Sequence, residues 1–180
     1  MLSNLQVLRA LAALNVVYFH IIITSFSYGQ GVDLLNFLGD WGASGVDIFF
    51  VLSGFIMVYI QDRKRRTALS FLFNRIVRIT PIYWFLTTVL LVLYIILPSA
   101  FRELTLDIVD ILSSFMFSSG FLGYGEPILY VGWTLEYEIL FYVLFSVGII
   151  FDNKVLSFLT PIILIFLLIL LNAIGLIVLD

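Results

Sequence analysis

Cysteine is absent from the 180 residues, and histidine occurs once, as His20. No disulfide, thiolate nucleophile, thiolate metal site or cysteine-linked lipid anchor is therefore available. One imidazole also excludes HExxH and three-histidine zinc centres, so no metal is expected. Charge is scarce as well: 12% of the residues are Asp, Glu, Lys or Arg, about half the share usual in a soluble domain. With 62% hydrophobic residues, the chain has too few polar groups to cover itself against water. It reads as a membrane protein whose outer solvent is lipid.

Strand-like alternation is missing too, which argues against a barrel. A helix crosses the hydrocarbon with about 20 apolar residues, and open sheet edges are not tolerated there, so long apolar runs are read as helices. Such runs occupy 7–26, 42–60, 82–97, 131–150 and 155–179, with a weaker one at 108–122. The weak run carries Asp110, Ser113, Ser114, Ser118 and Ser119 and is expected either to cross or to be re-entrant or interfacial. The first run contains Arg9, has no basic region before it and no small-residue cleavage site after it, so it is an uncleaved helix rather than a signal peptide. No repeat or linker divides the chain. The expected fold is all-α, a polytopic transmembrane helix bundle with five to six spanning helices in a single domain over 1–180.

Six of the nine basic residues, Arg63, Lys64, Arg65, Arg66, Arg75 and Arg78, fall in 61–80, which the positive-inside rule makes a cytoplasmic loop. The segment 27–41 has Asp33 and Asp40 and no base, so it lies outside. Both assignments put the N-terminus in the cytoplasm. Attraction to lipid phosphate accounts for much of the basic cluster, and no nucleic-acid partner is expected. Its second half is more specific, because Arg75 and Arg78 share a helical face at i and i+3, an arrangement suited to phosphate groups. A nucleotide-like cytoplasmic ligand fits, whereas no glycine-rich cradle supports an ATP or NAD site.

Ionisable groups within spans cost about 2.5–3.5 kcal/mol each on insertion scales and usually face a bundle interior or a wet cavity. Here they are Arg9, His20, Asp47, Glu136 and Glu138. Arg9 and His20 lie about three turns apart on one helical face, separated by roughly 16 Å along the axis. His20 suits a general base at neutral pH, and it equally suits an interhelical hydrogen bond. Arg9 is either a partner of that site or a snorkelling topology anchor. Glu136 and Glu138 diverge by about 200° on a helix, so they do not form a facing carboxylate pair. Trp133 and Tyr137 mark a membrane interface, where Glu136 is expected to be solvated, and the deeper Glu138 is the better candidate. Asp47 follows Gly42 and Gly45 near the entrance of the second helix, as a cap or a site residue.

Together these residues resemble the acyltransferase family 3 integral membrane proteins, and most nearly their exopolysaccharide, succinoglycan-type O-acetyltransferase branch. Residues 5–13 with Arg9, ten residues and then His20 resemble the opening helix, and 45–55 around Asp47 the second-helix signature. Residues 75–84 are similar to the Arg-x-x-Arg segment, and 132–135 with 138–142 to the later Gly-Trp-Thr-Leu motif. The resemblance implies acyl transfer, acetyl in the first instance, from cytoplasmic acyl-CoA to a sugar hydroxyl of an exopolysaccharide, another surface glycan or its lipid-linked precursor.

In that scheme His20 is the catalytic base, Arg9 its partner and Glu138 the acidic residue of the site. Arg75 and Arg78 lie near the CoA phosphates, and Asp47 belongs to the substrate side. Acyl-CoA is a donor substrate, and no bound cofactor is implied. The implied partners are membrane lipid, acyl-CoA, the glycan or lipid-linked acceptor and polysaccharide assembly proteins, at the bacterial inner membrane. The resemblance also implies a roughly ten-helix bundle, so the chain is expected to be incomplete at its C-terminal end, each span needing about 20 residues. The competing classes are a small transporter or proton relay through Arg9, His20, Asp47 and Glu138, and a non-catalytic scaffold. Acyl-CoA dependence separates the first from the enzyme, and a silent His20→Ala would mark the second.

Overall fold

A computed structural model describes residues 2–27, 29, 33–101, 106–151 and 153–175. Among them every regular element is helical: α1 (Leu2–Ser27), α2 (Asp33–Arg63), α3 (Ala68–Ile96), α4 (Ile108–Phe115), α5 (Trp133–Ile150) and α6 (Lys154–Ala173), with single 3-10 turns at Pro98–Ala100 and Tyr130–Gly132. Five helices are long and apolar enough to cross a membrane, at Asn4–Phe26, Ser44–Arg63, Ala68–Ile96, Tyr130–Ile150 and Val155–Ala173. The end of the last expected span, 176–179, and Asp180 lie outside the described residues.

The doubtful fourth run forms no helix long enough to cross. Its helix, α4, has 8 residues, about 12 Å of rise against a hydrocarbon core of about 30 Å. Asp107 starts it with a capping box, accepting from the amides of Val109 and Asp110 while the Asp110 side chain accepts from the Asp107 amide. The chain then turns at Phe117, whose φ of 55° lies in the left-handed region that a bulky residue rarely enters.

Two expectations about the connections need correction. The basic segment 61–80 is mostly not a loop, because α2 continues to Arg63 and α3 starts at Ala68, leaving only 64–67 between them. Thr67 caps α3, its Oγ1 accepting from the Ser70 amide at 3.4 Å, and Arg75 and Arg78 ride on α3 turns rather than in a loop. Pro81 lies inside this helix, where its missing N–H is tolerated because a membrane helix has neighbours that meet the freed backbone groups. Of the expected outer loop, residues 28 and 30–32 lie outside the described residues, and from Asp33 onward the chain is helical. Asp47 is therefore well inside α2 and does not cap it.

The chain divides into two compact units, Met1–Arg65 and Arg66–Asp180. In the first, α1 and α2 pack through small residues: a Cβ on Gly45 would stand 2.8 Å from the Ala12 carbonyl oxygen, so only glycine permits this approach. Ala12, Ile22, Leu52 and Met57 are buried there.

In the second unit α3 and α5 run antiparallel. Phe71 meets Phe145 with ring centroids 5.2 Å apart, Arg75 lies over Tyr142, and Tyr83 abuts Gly132. α6 docks on α5 where Gly148 approaches Ser157, whose hydroxyl donates to the Gly148 carbonyl at 3.0 Å. Most of the apolar surface of α6 is exposed, as a lipid-facing helix requires.

Candidate active site

In the first unit, α1 is unbroken from Leu2 to Ser27, so the three-turn offset between Arg9 and His20 is preserved. The Arg9 guanidinium carbon stands 5.3 Å from the Phe49 ring centroid of α2, close enough for a cation–π attraction. Phe49 follows Asp47 by two positions, and the Asp47 side chain is exposed. His20 is half-buried and meets the Phe19 ring edge-on at 5.7 Å. Two of the sequence-predicted catalytic groups and one predicted substrate-side group thus sit on one helix pair.

In the second unit, two aromatic rings seat Arg75. Its guanidinium carbon lies 5.5 Å from the Phe71 centroid, one turn back on α3, and 5.8 Å from the Tyr142 centroid on α5. The rings stand nearly perpendicular to one another at 87°, forming two walls. The Tyr142 hydroxyl donates to Glu138 Oε1, one turn earlier on α5. Both Tyr142 and Glu138 are buried, whereas Arg75 is half-buried and Arg78, one turn further along α3, is exposed. The structure therefore brings Arg75, Arg78 and Glu138 into one unit, and adds Phe71 and Tyr142, which sequence reasoning did not single out as site residues.

Glu136 departs from expectation. It is 2% exposed rather than solvated, because the backbone after α4 folds back over the start of α5. Its Oε1 accepts from the Ser119 amide and its Oε2 from the Gly120 amide, each at 3.0 Å. Around that clamp the serines complete a polar network. Ser119 Oγ lies 3.2 Å from Ser113 Oγ and 3.4 Å from Ser114 Oγ, and Ser114 Oγ accepts from the Ile128 amide at 3.0 Å.

From α3, the Tyr83 hydroxyl donates to the Ser114 carbonyl at 3.1 Å and Trp84 Nε1 to the Phe115 carbonyl at 3.0 Å. The Tyr83 ring packs on Phe117 with centroids 4.4 Å apart, which holds the left-handed turn in place. Irregular backbone beside spanning helices needs its polar groups satisfied internally, and here carboxylate, hydroxyls and indole do so. The serines that weakened the fourth run as a span were the available signal for this turn. Nothing local in the sequence announced that Glu136 reaches amides 16 and 17 residues upstream.

Chemically, the second unit offers an anion a half-buried guanidinium held on aromatic faces, with a second arginine one turn away. The first offers an imidazole that can take a proton. Comparison with known proteins supplies a context for both. The acyltransferase domain family matches residues 2–179 of the chain. The exopolysaccharide production protein ExoZ of Rhizobium meliloti (strain 1021) is 42% identical over 111 residues, which cover 58% of this chain and 33% of that protein. The match therefore spans about a third of the relative's length. No solved structure matches the chain.

Proposed function

This chain belongs to the acyltransferase family, and from that premise we propose that it is a membrane O-acyltransferase. It moves an acyl group, acetyl in the first instance, from acyl-CoA on the cytoplasmic side to a sugar hydroxyl of an exopolysaccharide or another surface glycan. The similar protein's description as an exopolysaccharide production protein supports the acceptor class. The observation that carries the donor assignment is the Arg75 guanidinium, half-buried between two rings and one turn from Arg78. Paired arginines suit phosphate oxygens, and CoA presents several.

In this scheme the His20 imidazole takes the proton of the sugar hydroxyl as its oxygen attacks the thioester carbonyl and forms the new C–O bond. The tetrahedral intermediate collapses, the C–S bond breaks, and the CoA thiolate receives the proton from the imidazolium. General-base assistance of this kind contributes about 10²- to 10⁴-fold in rate. Arg9 supplies positive charge on the same face of α1, Asp47 serves the substrate side, and Glu138 is the acidic group of the donor side. The protein sits in the bacterial cell membrane with its N-terminus cytoplasmic, the orientation that the cluster of bases between α2 and α3 favours.

The test is the ester-linked acetate that mild base releases from the surface glycan of the source cell, compared among the intact gene, its deletion and His20→Ala. Acetate is expected to fall equally in the deletion and the variant, with variant protein still in the membrane. Unchanged acetate in the deletion would refute the acetyl-to-glycan assignment. Retained acetate in His20→Ala would remove the base.

A further inference from the structure

Arg75 and Glu138 are near enough to influence each other electrostatically, yet they form no ion pair. Arg75 rests on ring faces, contacts that leave its N–H donors uncommitted. The Glu138 carboxylate is instead held by the hydroxyl of Tyr142, the residue whose ring also forms one wall of the Arg75 seat. One side chain thus contacts both groups. An unpaired guanidinium beside a buried carboxylate is an arrangement that should collapse into an ion pair unless something prevents it, since opposite charges attract strongly where water is scarce.

We infer that Tyr142 is a positioning residue that keeps Arg75 available to an anionic donor: its ring orients the guanidinium and its hydroxyl restrains Glu138 from neutralising it. The inference rests on the assignment of Arg75 to the donor. Removing only the hydroxyl, in Tyr142→Phe, keeps the wall and releases the carboxylate, which then pairs with Arg75 and competes with the donor's phosphate. Removing the competing charge as well, in the double variant Tyr142→Phe with Glu138→Gln, takes that competition away. A purely structural role for Tyr142 predicts no such rescue, because the second substitution adds another change to the same buried cluster.

The experiment uses the full chain in lipid nanodiscs, with acetyl-CoA as the donor probe and initial rates read as KM and kcat separately. Tyr142→Phe is expected to raise the acetyl-CoA KM about tenfold, and the double variant to return it to within about twofold of the parent, whatever happens to kcat. Phe71→Leu, which removes the other wall, is expected to raise KM without rescue by Glu138→Gln. Arg75→Gln separates the two ideas. If it leaves KM unchanged, the donor assignment falls and the inference with it. If it raises KM while Tyr142→Phe does not, or if the double variant stays as poor as Tyr142→Phe, the donor assignment stands and the inference is overturned. Should Tyr142→Phe fail to accumulate as a monodisperse protein, Phe71→Leu alone and combined with Glu138→Gln decides: rescue there would contradict the inference, which assigns Phe71 no hold on Glu138.

Discussion

Replacing Glu136 should destabilise the second unit more than any other single carboxylate change. Its two oxygens serve the amides of Ser119 and Gly120, both at 3.0 Å, from a side chain 2% exposed. In Glu136→Leu both amides lose their partner, and an unsatisfied buried donor costs about 1–3 kcal/mol. Deleting the carboxylate also removes its own desolvation cost, which offsets part of that loss. A net loss of about 3 kcal/mol follows.

Glu136→Gln keeps one carbonyl oxygen for one amide and turns an NH₂ toward the other, so about half the loss, roughly 1–2 kcal/mol, is expected. At about 2–4 °C per kcal/mol for a chain of this size, the melting temperature should fall about 6–12 °C in Glu136→Leu and about 2–8 °C in Glu136→Gln. Tryptophan fluorescence during thermal unfolding in detergent reads the shift, with Glu126→Gln on the exposed turn before α5 as control. Hydrogen exchange of peptides covering 117–122 should accelerate in both Glu136 variants. Melting temperatures indistinguishable from the Glu126 control, with unchanged exchange, would refute the clamp.

Other outcomes follow from close approaches and from the corrected connection. In Gly132→Ala the new Cβ would meet Tyr83 Cε2 at 2.6 Å. That ring is held by Phe117 and by its bond to Ser114, so overpacking should cost about 1–3 kcal/mol, read by the same thermal assay. Gly45→Val should push α1 from α2, because the obstacle is the Ala12 backbone carbonyl rather than a movable side chain. The check is loss of monodisperse protein on size exclusion, and wild-type behaviour would contradict the packing. A reporter or tag between Arg65 and Arg66 should be accessible only from the cytoplasm, whereas insertions at 70–78 should disrupt α3 and fail to yield folded protein. Accessibility from outside at 65 would reverse the orientation assigned to the chain.

The spans were legible because hydropathy in lipid overrides almost every other signal, and even the lack of a spanning-length helix in 108–122 was foreshadowed by its serines. The starts of α2 and α3 were not legible, since their N-terminal parts carry polar residues outside the apolar core of each helix. Residues 33–41 and 68–80 therefore resembled loops although they are helical. The divergence of Glu136 and Glu138 followed from helical geometry alone, and they do point to different partners. That Glu136 is buried rather than solvated did not follow, because the Ser119 and Gly120 amides reach it only once the segment after α4 has folded back. The Arg75 seat was equally hidden. Phe71 and Tyr142 become neighbours through the antiparallel register of α3 and α5, a contact between distant parts of the chain that no local pattern encodes.

That register gives α5 a division of labour. Glu136, in its first turn, and Gly132 just before it fix the helix against the turn after α4 and against Tyr83. Tyr142, on another side of the same helix, meets Arg75 with its ring and holds Glu138 with its hydroxyl. A site of this kind works only if its groups are held to a fraction of an ångström by neighbours that are themselves locked, and α5 meets that demand by anchoring at one end what it presents along its length. The two glutamates should then fail in different ways. Glu136→Gln should lose stability and transfer together, because a loosened anchor lets α5 drift and carries Glu138 with it. Glu138→Gln retains an oxygen that accepts from Tyr142, so it should keep its melting temperature while transfer falls. If Glu136→Gln instead kept full stability and lost transfer, Glu136 would be a reacting group and the anchor would have to be sought elsewhere.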